Sequence, residues 1–285
     1  MSEPKKFPDG FLWGAATSSF QVEGGIDNND WAEAAREGKV PVVGAAADHY
    51  HRYEEDFDIA KSLNHNAHRF SIEWSRVEPE EGKFDEAEIA HYQKVVAAVR
   101  ARGMEPFVTL WHFSLPIWFS KSGNFRRKDG AKIFARYAAQ MAVALPDAKL
   151  LMTMNEPEVW LGEQGEAVGA CPRPEQDFIA YLVGFGALVR AHRAAYREIK
   201  KVRPDAEIGI GKHQFSFVGR NPLGSLFAMV ARWSWNRLFL DLIRGYQDYV
   251  GIQFYQRLFF WGKEPGVPES DIGWQLIPEA IYDPL

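Results

Sequence analysis

The chain has 285 residues, enough for one large domain with a sizeable core, and its apolar (46%) and charged (25%) fractions exclude an intrinsically disordered polymer. A formal charge of −5 without a long Lys/Arg cluster argues against a nucleic-acid partner, because neutralising phosphates needs a concentrated basic face. Cys171 stands alone, which excludes an intramolecular disulfide, and residues 1–10 lack the apolar stretch of a secretion signal, so the expected setting is a reducing cytoplasm.

Short apolar runs predict strands at 11–17, 67–74, 105–112, 149–155, 207–212 and 249–255. Apolar residues at three- and four-residue spacing predict helices at 53–63, 86–102, 131–145, 176–202 and 226–244, with Gly103 and Pro204 as stop signals just past two of the ends. Within the fourth helix the longest charge-free apolar stretch, 178–189, is too short to span a bilayer and reads as core, so no membrane partner is expected. Nearly unalternating strands separated by helices describe a parallel sheet covered on both faces, either doubly wound or closed as a (β/α)8 TIM barrel. The first strand carries Trp13-Gly14-Ala15-Ala16-Thr17 without the glycine spacing of a dinucleotide fingerprint, which favours the barrel. No linker or low-complexity stretch divides the chain, so a single domain over 1–285 is expected.

Polar residues gather where the strands end. Gln21 follows the first strand, Arg69 lies within the second, His112 ends the third, Asn155 and Glu156 follow the fourth, and Tyr255 ends the sixth. In a parallel barrel all of these ends share one mouth. A carboxyl group there, between apolar walls, holds its proton near neutral pH and can hand it to a leaving group, which makes Glu156 a candidate general acid. Asn155 can hydrogen-bond a sugar hydroxyl, and Trp111 and Trp118 near the mouth suit apolar sugar faces. His49, His51, His65 and His68 cluster in one helix-to-strand region without Cys or paired-carboxylate spacing, so neither a metal nor a cofactor is expected.

The stretch Phe-Leu-Trp-Gly-Ala-Ala-Thr-Ser-Ser-Phe-Gln-Val-Glu-Gly at 11–24, His-Arg-Phe-Ser-Ile-Glu-Trp-Ser-Arg at 68–76, Thr-Leu-Trp-His-Phe at 109–113 and Thr-Met-Asn-Glu-Pro at 153–157 resemble the signature blocks of glycoside hydrolase family 1, the retaining β-glucosidase and β-galactosidase family. The resemblance implies a TIM barrel of which about six of eight β/α units are present. It implies Glu156 as general acid/base, Asn155 on the sugar 2-hydroxyl, Gln21 and His112 on other ring hydroxyls, Arg69 stabilising the nucleophile and Tyr255 hydrogen-bonded to it. The implied substrate is a β-linked saccharide or aryl β-glycoside, with no cofactor.

The chain also departs from the family. Trp111 stands where a second His is frequent, and Gln253-Phe254-Tyr255 where Asn-Tyr-Tyr is common. No Thr-Glu-Asn-Gly-like nucleophile motif occurs, and the sequence up to Leu285 resembles the helix before strand seven. A retaining glycosidase needs two carboxyl groups about 5–5.5 Å apart. Glu23, Glu73, Glu163 and Glu166 are the nearest alternatives, none matches the family nucleophile, and exposed or ion-paired acids are expected there. Activity is therefore expected to require a C-terminal segment. The alternatives are a truncated carbohydrate-binding relative, or a split barrel whose last strands come from a partner chain. Unpaired edges on strands one and six predict self-association or a complementing fragment.

Overall fold

The computed structural model describes residues 6–165, 168–169 and 176–283, so Glu166 and Cys171 lie outside the described residues. All six expected strands form: β1 (Gly14–Ala16), β2 (Ala67–Ser71), β3 (Glu105–Thr109), β4 (Leu150–Asn155), β5 (Glu207–Gly219) and β6 (Tyr249–Phe260). Every adjacent pair is parallel, and the spatial order is the chain order from β1 to β6. A doubly wound sheet reverses at a switch point, which takes its strands out of sequence order. This sheet never reverses, and it is a six-stranded arc of a barrel.

Five longer helices cover the arc: α1 (His49–Ser62), α2 (Glu86–Ala101), α3 (Gly130–Ala144), α4 (Phe178–Val202) and α5 (Pro222–Ala231). Three of their starts are capped by side chains, that of α5 by Asn221, which accepts the Gly224 N–H. Asp85 accepts the N–H groups of Ala87 and Glu88, and Asp177 accepts that of Ala180. The inner faces of the helices bury Val95, Val99, Phe134, Tyr137, Leu188 and Ile199 in one cluster with Phe70, Val108, Leu151 and Ile208 of the strands. Each such side chain contributes about 1.5–3 kcal/mol by leaving water.

Several boundaries differ from the expected ones. β1 has only three residues because the Trp13 N–H bonds the Asn66 side chain at 2.5 Å, which takes the preceding backbone out of the ladder. Phe7, Phe11 and Trp13 instead stack on one another with ring centroids 4.5–4.7 Å apart. β2 and β3 stop at Ser71 and Thr109, so His112 lies on the loop beyond β3. β5 and β6 run on past Lys212 and Tyr255 to Gly219 and Phe260, with a register shift between Gln214 and Ser216 that interrupts the apolar pattern. The helix expected over 226–244 is α5 followed by a π-helical turn, Arg232–Arg237, and a short helix, Leu238–Leu242. Asn236 in that turn is pinned to β5: its side chain accepts the Phe215 N–H at 3.2 Å and donates to the Phe215 carbonyl at 2.8 Å.

The arc has two ends. β1 is exposed, and most of β6 is only partly covered. Residues 261–283 add no strand to either edge among the described residues; Asp283 takes hydrogen bonds from Ser216 and from Arg257, the latter at 2.8 Å. Among the described residues no helix is long and apolar enough to cross a membrane.

Candidate active site

The backbone turns sharply at the end of β4. Glu156 has φ +42°, in the left-handed region that costs a non-glycine residue on the order of 1–3 kcal/mol. The conformation is held from both sides: the Asn155 N–H donates to the Trp111 carbonyl at 3.0 Å and the Glu156 N–H to the Gly211 carbonyl at 2.8 Å. The Glu156 side chain is thereby buried at the mouth of the arc, 7% exposed, with Oε1 lacking a hydrogen-bond partner. Burial pushes its carboxyl up from 4.5 to about 7; the Arg69 and Lys212 charges oppose the rise, and Glu158 and Glu163 add to it.

Beside Glu156 runs a chain of hydrogen bonds through three of the expected residues. Arg69 donates from Nε to Thr109 Oγ1 at 2.8 Å and from Nη2 to Asn155 Oδ1 at 2.6 Å. Gln253 Nε2 donates to the same Asn155 oxygen at 2.5 Å, and the Tyr255 hydroxyl donates to Gln253 Oε1 at 3.1 Å. Two donors thus share the Asn155 side-chain oxygen. A side chain at position 211 would have to displace its neighbours: a Cβ there would stand 2.7 Å from Gln253 Nε2, 2.9 Å from Met152 Sδ and 3.2 Å from Asn155 Oδ1.

Gln21 and His112 share a recess of about 210 Å3 with Trp31, Phe113 and Ser114. Gln21 accepts the Ser18 hydroxyl at 2.7 Å, and Nδ1 of His112 is buried without a partner. Burial, then the Arg69 charge, pulls the His112 ring down to about 3, so it is a neutral hydrogen-bonding group near neutral pH. The Arg69 charge acts on both His112 and Glu156. A larger cleft of about 850 Å3 lies on the outside between α3 and α4, lined by Lys132, Arg136, Arg193 and Arg197, and contains none of these residues.

Of the two expected aromatic platforms, Trp111 is buried in the core and Trp118 is half-buried against it. Trp111 is 1% exposed and donates to the Ser114 carbonyl at 3.1 Å, whereas Trp118 packs edge-on to Trp74 and donates to the Glu78 carbonyl at 2.8 Å. Glu23 and Glu73 are structural, and neither is exposed. Glu23 pairs with Arg76 at 3.0 Å and accepts the Tyr92 hydroxyl at 2.8 Å. Glu73 accepts from Ser19, Ser75, Ser114 and Asn29. Glu163 is exposed. His49 and His51 lie against Asp56 and Asp48, at 2.6 and 2.7 Å.

Two groups escaped the sequence reading of the site. Gln253 was visible only as a departure from a family motif. The buried pair of Lys212 and Glu158, 3.1 Å apart and nearly free of solvent, adjoins Glu156. Its signal was present as a lysine at the end of an apolar strand, because a buried lysine needs an anion.

Known proteins resemble this chain in sequence and in fold. The model of glycosyl hydrolase family 1 matches residues 3–228. Beta-glucosidase A of Thermotoga maritima is 28% identical over 98% of this chain and 74% of its own length. The beta-glucosidase of an Agrobacterium species is 30% identical over 72% of this chain and 47% of its own length. Among solved structures, a beta-glycosidase from Pyrococcus horikoshii superposes with a TM-score of 0.85 at 30% identity, covering 97% of this chain and 72% of that one. The Thermotoga maritima enzyme in complex with castanospermine gives 0.84 at 26% identity, covering 98% and 74%. On these matches the chain belongs to glycosyl hydrolase family 1 and is by family a glycoside hydrolase.

Proposed function

We propose that this chain supplies the acid/base half of a retaining β-glycosidase site, with a β-glucoside or related β-glycoside as substrate. Glu156 protonates the leaving oxygen and later takes a proton from water. Asn155 and Arg69 orient the sugar 2-hydroxyl and the attacking carboxylate, Tyr255 contacts that carboxylate, and Gln21 and neutral His112 bind further ring hydroxyls. The observation that carries the reading is the buried Glu156 carboxyl, raised to about 7 at the mouth of β4 with an oxygen free for a ligand. Among the described residues, Glu23, Glu73 and Glu158 are tied into hydrogen bonds or ion pairs. We place the nucleophile on a polypeptide segment outside this sequence, as a continuation or a complementing chain joining at the open ends of β1 and β6, because no Thr-Glu-Asn-Gly-like motif occurs in residues 1–285.

The test is release of nitrophenol from an aryl β-glucoside by the 285-residue chain, alone and with a polypeptide carrying two further β/α units. The expected result is negligible hydrolysis alone and retaining hydrolysis with the complement, lowered about 10²–10⁴-fold by Glu156→Gln. Ordinary enzymic rates from the chain alone overturn the assignment of the nucleophile. Sugar binding without hydrolysis in the completed barrel makes the chain a binding module instead.

A further inference from the structure

The helix α5 is built inside out. Leu223, Leu226, Phe227 and Val230, continued by Trp233, recur at helical spacing on one face, and each is about half exposed. Its buried positions are Gly224 and Ala228. Backbone contact fixes this orientation: a Cβ on Gly219 would stand 2.1 Å from the Gly224 carbonyl carbon, and one on Gly224 would stand 3.0 Å from the Trp261 ring. The helix therefore sits directly on the end of β5 and cannot turn its apolar face inward. Asn221 and Pro222 fix its start, with the Asn221 side chain accepting the Gly224 N–H at 2.7 Å. Trp261, itself half exposed, lies 5.6 Å from the Phe227 ring and widens the patch.

The surrounding charge is one-sided. Residues 208–240 contain no Asp or Glu, in a chain of net charge −5, and Arg220, Arg232 and Arg237 are exposed there. The carboxylates beside this stretch are paired: Glu264 with Arg220 at 2.6 Å, Asp283 with Arg257 at 2.8 Å, and Asp241 with Arg244 at 2.8 Å. An outward apolar stripe with two tryptophans and an arginine rim is the composition of a helix that lies in the headgroup layer of an anionic bilayer. The absence of a spanning segment does not bear on this, because such a helix lies in the interface. Nor does extension of the sheet at β6 or β1 require this face, because α5 belongs to the crossover between two strands already paired.

We propose that α5, with Trp233 and Trp261, docks on the surface of a bilayer containing anionic lipid, its axis in the plane of the interface. Because α5 follows the carboxyl end of β5, docking holds the mouth of the arc near the lipid.

Flotation of the full chain with vesicles of phosphatidylcholine alone, and of phosphatidylcholine and phosphatidylglycerol mixed two to one, tests this. The expected result is flotation with the anionic vesicles, weakened by added salt and accompanied by a blue shift of tryptophan emission. The variant Leu226→Ser/Phe227→Ser/Val230→Ser should lower partitioning at least about tenfold. Ile179→Ser/Leu182→Ser, on the exposed side of α4, should leave it unchanged. If the triple variant loses its circular dichroism, Trp233→Ser/Trp261→Ser tests the same patch. No flotation with anionic vesicles overturns the proposal, as does equal flotation of parent and patch variants. Loss of an oligomer in the triple variant with no change in flotation assigns the face to a second copy of the chain and overturns it too.

Discussion

Replacing Glu156 by Gln should stabilise the fold above neutral pH, and the size of the effect follows from the site. In the unfolded chain the carboxyl titrates near 4.5, whereas burial raises it to about 7 in the fold. Between those values the native state binds more protons at this position than the unfolded state, so stability falls as pH rises. A shift of this size corresponds to about 3 kcal/mol of stability, fully present below the lower value and fully lost above the upper one. Gln carries no such charge, and because Oε1 has no partner the amide forfeits no hydrogen bond there. Burial also raises Glu23 to about 7 and Asp30 to about 8, which tilts both proteins in the same direction and cancels in their difference. Urea unfolding of parent and variant across the range should show curves that coincide at acid pH and separate in favour of the variant by about 3 kcal/mol at about pH 8. A gap that stays constant with pH, or one that favours the parent at high pH, would refute the buried-carboxyl argument.

Three further outcomes follow from the packing. Gly211→Ala should cost about 1–3 kcal/mol, because the new methyl group displaces the end of Gln253 and breaks its bond to Asn155; Gln253→Ser in the same chain should remove most of that cost in urea titrations. Lys212→Met should cost about 3–5 kcal/mol by leaving Glu158 buried without its cation, and adding Glu158→Leu should recover most of it, read by thermal unfolding. Sedimentation velocity at micromolar concentration should show self-association through the open ends of the sheet; a single monomeric species with a sharp thermal transition would show that those edges need no partner.

The sequence could be read furthest where one local cause fixes the outcome. The six strands and the mouth they share follow from apolar runs between helical spacings, and Asp85 and Asp177 start their helices by accepting N–H groups only two or three residues away. Arg69 and Asn155, expected at one mouth, are hydrogen-bonded there, and Glu156 is buried at the end of its strand. Legibility ends where a residue's role is set by a distant partner. Trp111 and Trp118 suit apolar sugar faces by their place near the mouth, whereas their packing depends on bonds to the Ser114 and Glu78 carbonyls. The extension of β5 is hidden by the register shift after Gln214, and the break after α5 depends on Asn236 gripping Phe215 across the fold.

The identity of chain order and strand order also has a meaning in time. Each strand from β2 onward pairs with the strand made immediately before it, so a growing chain meets its template as soon as each crossover is complete. Assembly can proceed by repeated addition at one moving edge, without waiting for a distant strand to arrive. The edge left at β6 is then the growing front of that process, presenting to whatever comes next the same backbone pattern that β5 presented to β6.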